Sequence, residues 1–171
     1  MNYWVAQLIG FAGLTFSILS FQQKQRQGIL FFQILAALAY FFHFLLLGAL
    51  TGSVMNLFGA ARNVVFYYQE KAWAGKKFWV YLFILIYIVS TIFTWKNGYS
   101  IFPLVGMIVG TVGFRMKNPK YTRLIMLVSP PCWFTYNLVS GSIPGMLTEV
   151  FNIGSIVVGI IRFDLKKTPK D

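Results

Sequence analysis

A chain of 171 residues that is 57% hydrophobic, 19% aromatic and 11% charged, with a mean hydropathy of +0.66, has too little polar surface for a water-soluble globule. Its net charge of +11 would suggest nucleic acid in a soluble protein, but the basic residues stand in short clusters between apolar runs. They read as topology signals and as contacts for anionic lipid headgroups, not as a nucleic-acid surface.

Seven apolar spans follow in order: 4–20, 29–47, 50–68, 78–94, 100–114, 122–139 and 143–161. A helix needs about 20 apolar residues to cross the hydrocarbon core, where it satisfies its own backbone hydrogen bonds. The runs lack the alternation of barrel strands, so the expected class is all-α, a polytopic membrane protein embedded in a lipid bilayer. The first span has no basic residue before it and no small-residue cleavage pattern after it, and is expected to be a retained helix. Pro103 in the fifth span, and Pro130 and Pro131 in the sixth, remove backbone donors and are candidate hinges. The first three spans contain no proline, so bending there falls to glycines such as Gly13. The single Cys132 lies inside the sixth span, which excludes an intrachain disulfide and a cysteine-built metal cluster.

The chain matches itself at a shift of 93 positions without a gap. Phe21, Lys24, Phe41, Gly48, Gly52 and Phe58 fall on Phe114, Lys117, Phe134, Gly141, Gly145 and Phe151, and Gly13 falls on Gly106. The matched Lys and Gly residues sit at span ends, where they mark equivalent turns. A three-helix unit therefore occurs twice: residues 1–69 form the first repeat, 70–96 a loop and linker helix, 97–163 the second repeat, and 164–171 a cytoplasmic tail. Three helices reverse the chain's sidedness, and one extra crossing restores it. The expected architecture is seven transmembrane helices, two parallel three-helix repeats joined by a linker helix (3+1+3). With seven crossings, the basic residues from Lys24 to Lys170 share one side and Lys96 stands alone on the other. The positive-inside rule then places the amino terminus outside and the carboxyl terminus in the cytoplasm.

Away from the span ends, the charged or readily charged groups within the spans are His43, Arg62 and Glu149. Each needs a reason, because a charge at mid-membrane costs about 2.5–3.5 kcal/mol on insertion scales. Arg62 is near the basic end of its span and is expected to snorkel to the headgroups, or else to meet a buried partner such as Glu149. His43, near the opposite end, is expected to have an interfacial or packing role. Glu149 is expected to line a polar cavity, where it is a candidate coupling group, or to hydrogen-bond a neighbouring helix.

The same shift pairs Tyr40 with Trp133 and Asn56 with Glu149. In each unit the aromatic lies eight residues before a turn glycine, Gly48 or Gly141, and the polar residue eight after it. At 1.5 Å rise per residue all four stand about 12 Å below equivalent turns. They are the candidate substrate-binding residues of one central cavity, with ring faces for sugar, nucleoside or vitamin rings and polar groups for hydroxyls. No metal, cofactor or catalytic site is expected, since the spans hold one acid and one histidine and no phosphate-cradling Gly-Lys-Ser or Gly-Lys-Thr. The expected function is a transporter or facilitator of a small polar solute working by alternating access. The alternative is a non-transporting structural or regulatory protein in which Asn56 and Glu149 hold helices together.

These residues resemble a family pattern. Paired three-helix units with an aromatic and an amide sixteen residues apart are similar to the PQ-loop and SWEET superfamily of transporters, and over nearly its full length the chain resembles the YgjV-type bacterial inner-membrane proteins. The resemblance implies a bacterial inner-membrane location and a substrate site at the Trp and Asn positions. Trp133 and Glu149 occupy them in the second unit with Glu for Asn, and Tyr40 and Asn56 in the first with Tyr for Trp. Phe21 stands where a Pro-Gln motif would end the first helix, and Phe114 with Arg115 in the second copy, so a proline-hinged mechanism does not transfer.

Overall fold

The computed structural model describes residues 3–23, 25–116 and 119–165, and every regular element among them is helical. Lys24, Lys117 and the expected tail beyond Leu165 lie outside the described residues. Eight α-helices follow in order: α1 (Tyr3–Phe21), α2 (Arg26–Leu46), α3 (Leu50–Tyr67), α4 (Phe78–Thr94), α5 (Ile101–Arg115), α6 (Pro119–Met126), α7 (Ser129–Val139) and α8 (Ile143–Ile160). A 3-10 turn at Gly98–Ser100 leads into α5, and a wider π-type turn at Ile161–Leu165 follows α8.

Four segments are long and apolar enough to cross a membrane, Tyr3–Ser20, Gln27–Leu46, Gly98–Arg115 and Ile143–Ile160, and the shorter α4 is uniformly apolar. The outward surface agrees. Leu8, Leu85, Ile92, Phe93 and Val158 are all more than half exposed, apolar side chains that lipid tails accept at no cost.

The expected sixth span is not one helix. Pro130 and Pro131 fall in the first turn of α7, where their missing N–H groups remove no intrahelical bond. The chain breaks just before them: the N–H groups of Leu127 and Val128 bond back to Arg123 and Ile125, and Ser129 Oγ donates to the Gly106 carbonyl of α5 at 3.2 Å. The prolines thus begin a helix instead of kinking one. Pro103 is likewise the third residue of α5, in its first turn, and removes no interior bond.

Two turns are near copies. Gly48 after α2 and Gly141 after α7 both have φ of +69°, a left-handed conformation open to glycine at little cost. In each, the residue after the glycine bonds back five positions at 2.9 Å, Ala49 N–H to Phe44 and Ser142 N–H to Asn137. Tight helix contacts repeat with the same spacing. A Cβ built on Gly13 would meet the Tyr40 ring at 3.0 Å, and one on Gly106 would meet the Trp133 indole at 2.6 Å. Small residues let helices approach closely where lipid supplies no hydrophobic drive. In the first half α2 packs between α1 and α3, and in the second α7 packs between α5 and α8. The halves meet where α1 touches α8 and where α3 touches α5, while α4 lies against α3 and α5.

Past the end of α8, Asp164 accepts from Arg123 of α6 in a two-pronged pair, Nε to Oδ2 at 2.9 Å and Nη2 to Oδ1 at 2.6 Å. The hydrogen bond from Arg123 holds the Asp164 carboxyl below its ordinary value of 3.8. A depressed carboxyl pKa contributes stability that is present above 3.8 and disappears as pH falls through the lower folded-state value. Asp164→Asn is therefore expected to unfold earlier than the parent at neutral pH, and the gap should close in strong acid. Thermal unfolding of both proteins across that pH range checks it, and a pH-independent gap would contradict the ion-pair account.

Candidate functional site

Between the helices lies a partly open cavity of about 160 Å³. Its wall includes all four residues that the repeat singles out, Tyr40 from α2, Asn56 from α3, Trp133 from α7 and Glu149 from α8, and also Arg62 from α3. Two further pairs 93 positions apart face the same space, Phe44 with Asn137 and Gly59 with Asn152. Each lies three or four residues from a member of the first set, one helical turn along the same face. The repeat register carried that signal for Asn137 and Asn152.

One wall is aromatic. Tyr40, Phe44 and Trp133 form a sequence of rings, with Phe44 6.0 Å from Tyr40 and stacked 6.1 Å from Trp133, and Tyr136 edge-on to Phe44 at 5.7 Å. Polar side chains share the lining with these rings. Asn56 donates to the Gly52 carbonyl of its own helix at 2.9 Å, and Glu149 accepts from Asn152 at 3.0 Å. The Oδ1 atoms of Asn137 and Asn152 are buried and lack a hydrogen-bond partner.

Arg62 departs from the first of its two expected roles and meets a buried partner other than Glu149. It is only 5% exposed and does not snorkel. Its Nε and Nη2 donate to Asn63 Oδ1 at 3.2 and 3.0 Å, its Nη1 donates to Thr111 Oγ1 of α5 at 3.0 Å, and its guanidinium lies 5.3 Å from the centre of the Phe114 ring. Sequence proximity to the basic loop suggested a headgroup, but the side chain turns inward, towards α5. Among the described residues the one ion pair is Arg123 with Asp164, so Arg62 and Glu149 share a cavity wall without pairing. A second cavity of about 160 Å³ adjoins the first, sharing Arg62, Trp133 and Glu149 and reaching Phe114, Met126 and Ile156 towards the end where Arg115 and Arg123 lie.

At the other end hydrogen bonds join the two halves. His43 is fully buried, not interfacial, which leaves the packing role. Its Nδ1 is 2.6 Å from the Ala6 carbonyl, and since a carbonyl only accepts, Nδ1 carries the proton. With a single ring proton, Nε2 then accepts from Ser142 Oγ at 2.7 Å. The position 93 residues on, Tyr136, reaches the opposite way: its hydroxyl accepts the Gly52 N–H at 2.9 Å, capping the first turn of α3 from α7. Tyr40 bonds Thr148 of α8 at 2.6 Å, and Gln7 of α1 donates to the Gly141 carbonyl at 2.8 Å and accepts from the Ile143 N–H at 3.2 Å. These side-chain contacts bind each half to the turn of the other.

Among the described residues no three potential ligands from His, Cys, Asp and Glu converge as a metal site would require. No solved structure matches the chain. It is 24% identical over 165 residues to "Inner membrane protein YgjV" of Escherichia coli (strain K12), an alignment covering 94% of this chain and 85% of that protein. Residues 4–167 match Imp-YgjV, a family described as bacterial inner membrane protein. With apolar membrane-length helices and a match running almost from end to end, the chain belongs to the YgjV family of bacterial inner membrane proteins.

Proposed function

We propose that the protein is a transporter or facilitator of a small polar solute, working by alternating access across the inner membrane. The observation that carries the reading is the cavity wall. Four pairs of positions 93 residues apart, from α2, α3, α7 and α8, meet around one central space. In this reading α6 and α7 together make the sixth of seven crossings, and the halves are parallel 3+1+3 repeats with α4 as linker. Lys71, Lys76 and Lys77 after α3, Arg115 at the end of α5, and Lys120 and Arg123 on α6 then face the cytoplasm, with the amino terminus outside.

Two further features favour transport over a purely structural bundle. The Asn56 amide bonds within its own helix, so it does not act as interhelical glue. Apart from Arg62 with Thr111, the cross-half hydrogen bonds described above gather at the turn end, while the second cavity extends the first towards the basic end. That asymmetry suits a state closed to the outside. A cavity near 150 Å³ holds a benzene-sized molecule, so a solute of about six heavy atoms fits the first space, and a sugar or nucleoside would need both.

The test is uptake into proteoliposomes together with ligand-induced thermal shift, using Asn56→Ala and Trp133→Ala. Both variants are expected to lose affinity and flux several-fold. Unchanged affinity and flux in both would overturn the reading. Flux that is independent of pH and unaffected by Glu149→Gln would show a facilitator without proton coupling.

A further inference from the structure

We infer that the solute held in the central cavity carries a carboxylate, and that Arg62 is the residue that binds it. The inference deepens the transport reading and rests on it for the identity of the site.

The argument starts from an unbalanced charge. A guanidinium is a permanent cation with five N–H donors in a planar fork. Arg62 uses three of them, two on Asn63 Oδ1 and one on Thr111 Oγ1, which leaves two. The Tyr87 hydroxyl lies beside Arg62 and Thr111 without meeting hydrogen-bond geometry. Every contact described is with a neutral group, including the Phe114 ring, and no carboxylate of the described residues is within 4.0 Å. Fixing α3 to α5 through Thr111 needs only a neutral donor. A buried cation with neutral partners and two spare donors, on the wall of both central cavities, is instead arranged for an anion that arrives from outside the protein.

The rest of the wall restricts which anion. Glu149 lines both cavities, accepts one hydrogen bond from Asn152 through Oε2, and has no bond to Oε1 among the described residues. Its open Oε1 accepts a further hydrogen bond, and a space of about six heavy atoms has little room for a dicarboxylate, which favours a single planar carboxylate on the guanidinium with a donor beside it. Asn152 gives its amide hydrogen to Glu149 and keeps an unpartnered Oδ1, so it calls for a donor on the same solute. The chemistry that satisfies all three is a small monocarboxylate bearing a hydroxyl or an ammonium group. The cavity volume of about 160 Å³ holds it to a few heavy atoms.

Purified protein is tested by thermal shift and by counterflow in proteoliposomes with lactate, glycine, lactamide, glycerol, succinate and inorganic phosphate. Lactate or glycine is expected to stabilise the protein, lactamide and glycerol are not, and succinate and phosphate should act more weakly. Arg62→Gln should weaken carboxylate binding by about tenfold or more, the loss of a charge-assisted bond. Thr111→Val, which removes one support of the guanidinium and leaves its charge, should keep most of the binding. If Arg62→Gln does not fold, the lactate and lactamide comparison on the unaltered protein decides. Equal stabilisation by the neutral compounds, no stabilisation by either monocarboxylate, or full carboxylate binding by a folded Arg62→Gln protein overturns the inference. Flux of neutral solutes that ignores Arg62→Gln overturns it while leaving transport standing. Carboxylate binding that depends on Arg62 without any flux does the reverse.

Discussion

Gly52→Ala is expected to lower the thermal stability of the detergent-solubilised protein by about 1–3 kcal/mol, the usual cost of an added methyl group in a filled core. The new Cβ would lie 2.5 Å from Tyr136 Cε1 and 3.2 Å from Phe44 Cγ. Neither ring has room to retreat. Phe44 is 2% exposed and stacked on Trp133, and Tyr136 is tied by its own hydroxyl to the N–H of the residue being changed. Displacing Tyr136 uncaps the first turn of α3, and displacing Phe44 moves a cavity wall, so loss of stability and loss of ligand binding should appear together. Gly154→Ala supplies the contrast. Gly154 is exposed within α8 and an added Cβ would meet nothing within 4 Å, so removing glycine there should stabilise the helix by up to about 1 kcal/mol. Unfolding followed by circular dichroism or tryptophan fluorescence separates the two. Equal midpoints for parent and Gly52→Ala would contradict the close approach of α3 to α7.

The helices were legible because polar residues punctuate the apolar runs. The reading of 78–94 coincides with α4, which Lys77 precedes and Trp95 with Lys96 follow. The turn glycines were legible too, since a repeated Gly at a span end signals the left-handed conformation that Gly48 and Gly141 adopt. Register alone brought Tyr40, Asn56, Trp133 and Glu149 to one wall, because equal distance from equivalent turns means equal depth. Side-chain direction was not legible. Arg62 lies close enough to a basic loop to reach headgroups along its aliphatic stem, and only the position of α5, with Thr111 and Phe114, shows that it turns inward. The break before α7 was half legible: paired prolines announce a disturbance, but whether they kink a helix or start one depends on whether the preceding carbonyls find other donors. Which of its two expected roles His43 plays was not legible, for a third reason. Its partners, Ala6 and Ser142, are 37 and 99 residues away and carry no local signature.

Loosening the turn end is expected to open the cavity towards it. The double variant Tyr40→Phe, Tyr136→Phe removes two hydroxyls and nothing else, so ring packing against Phe44 and Trp133 survives while the bonds to Thr148 and to the Gly52 N–H are lost. Each bond contributes about 0.5–1.5 kcal/mol net, and both are made between halves that must separate if this end opens. Their joint loss of about 1–3 kcal/mol corresponds to roughly a 5- to 150-fold shift towards a form open at the turn end, provided the bonds are absent from that form. Gly52 makes the proviso reasonable. Its N–H is one of the first-turn donors of α3 that no intrahelical carbonyl can satisfy, and water reaching an opened end would take the place of Tyr136. The readout is maleimide labelling of Asn56→Cys in a Cys132→Ser background, with reagent applied from the side that Lys96 faces. Labelling should accelerate in the double variant and stay slow in the background protein. Carboxylate binding at Arg62 should change less than the labelling rate, since neither hydroxyl is among the Arg62 partners. An unchanged labelling rate in a folded double variant would mean that these hydroxyls hold the core together without gating it, and the closed turn end would then be a fixed feature of the bundle.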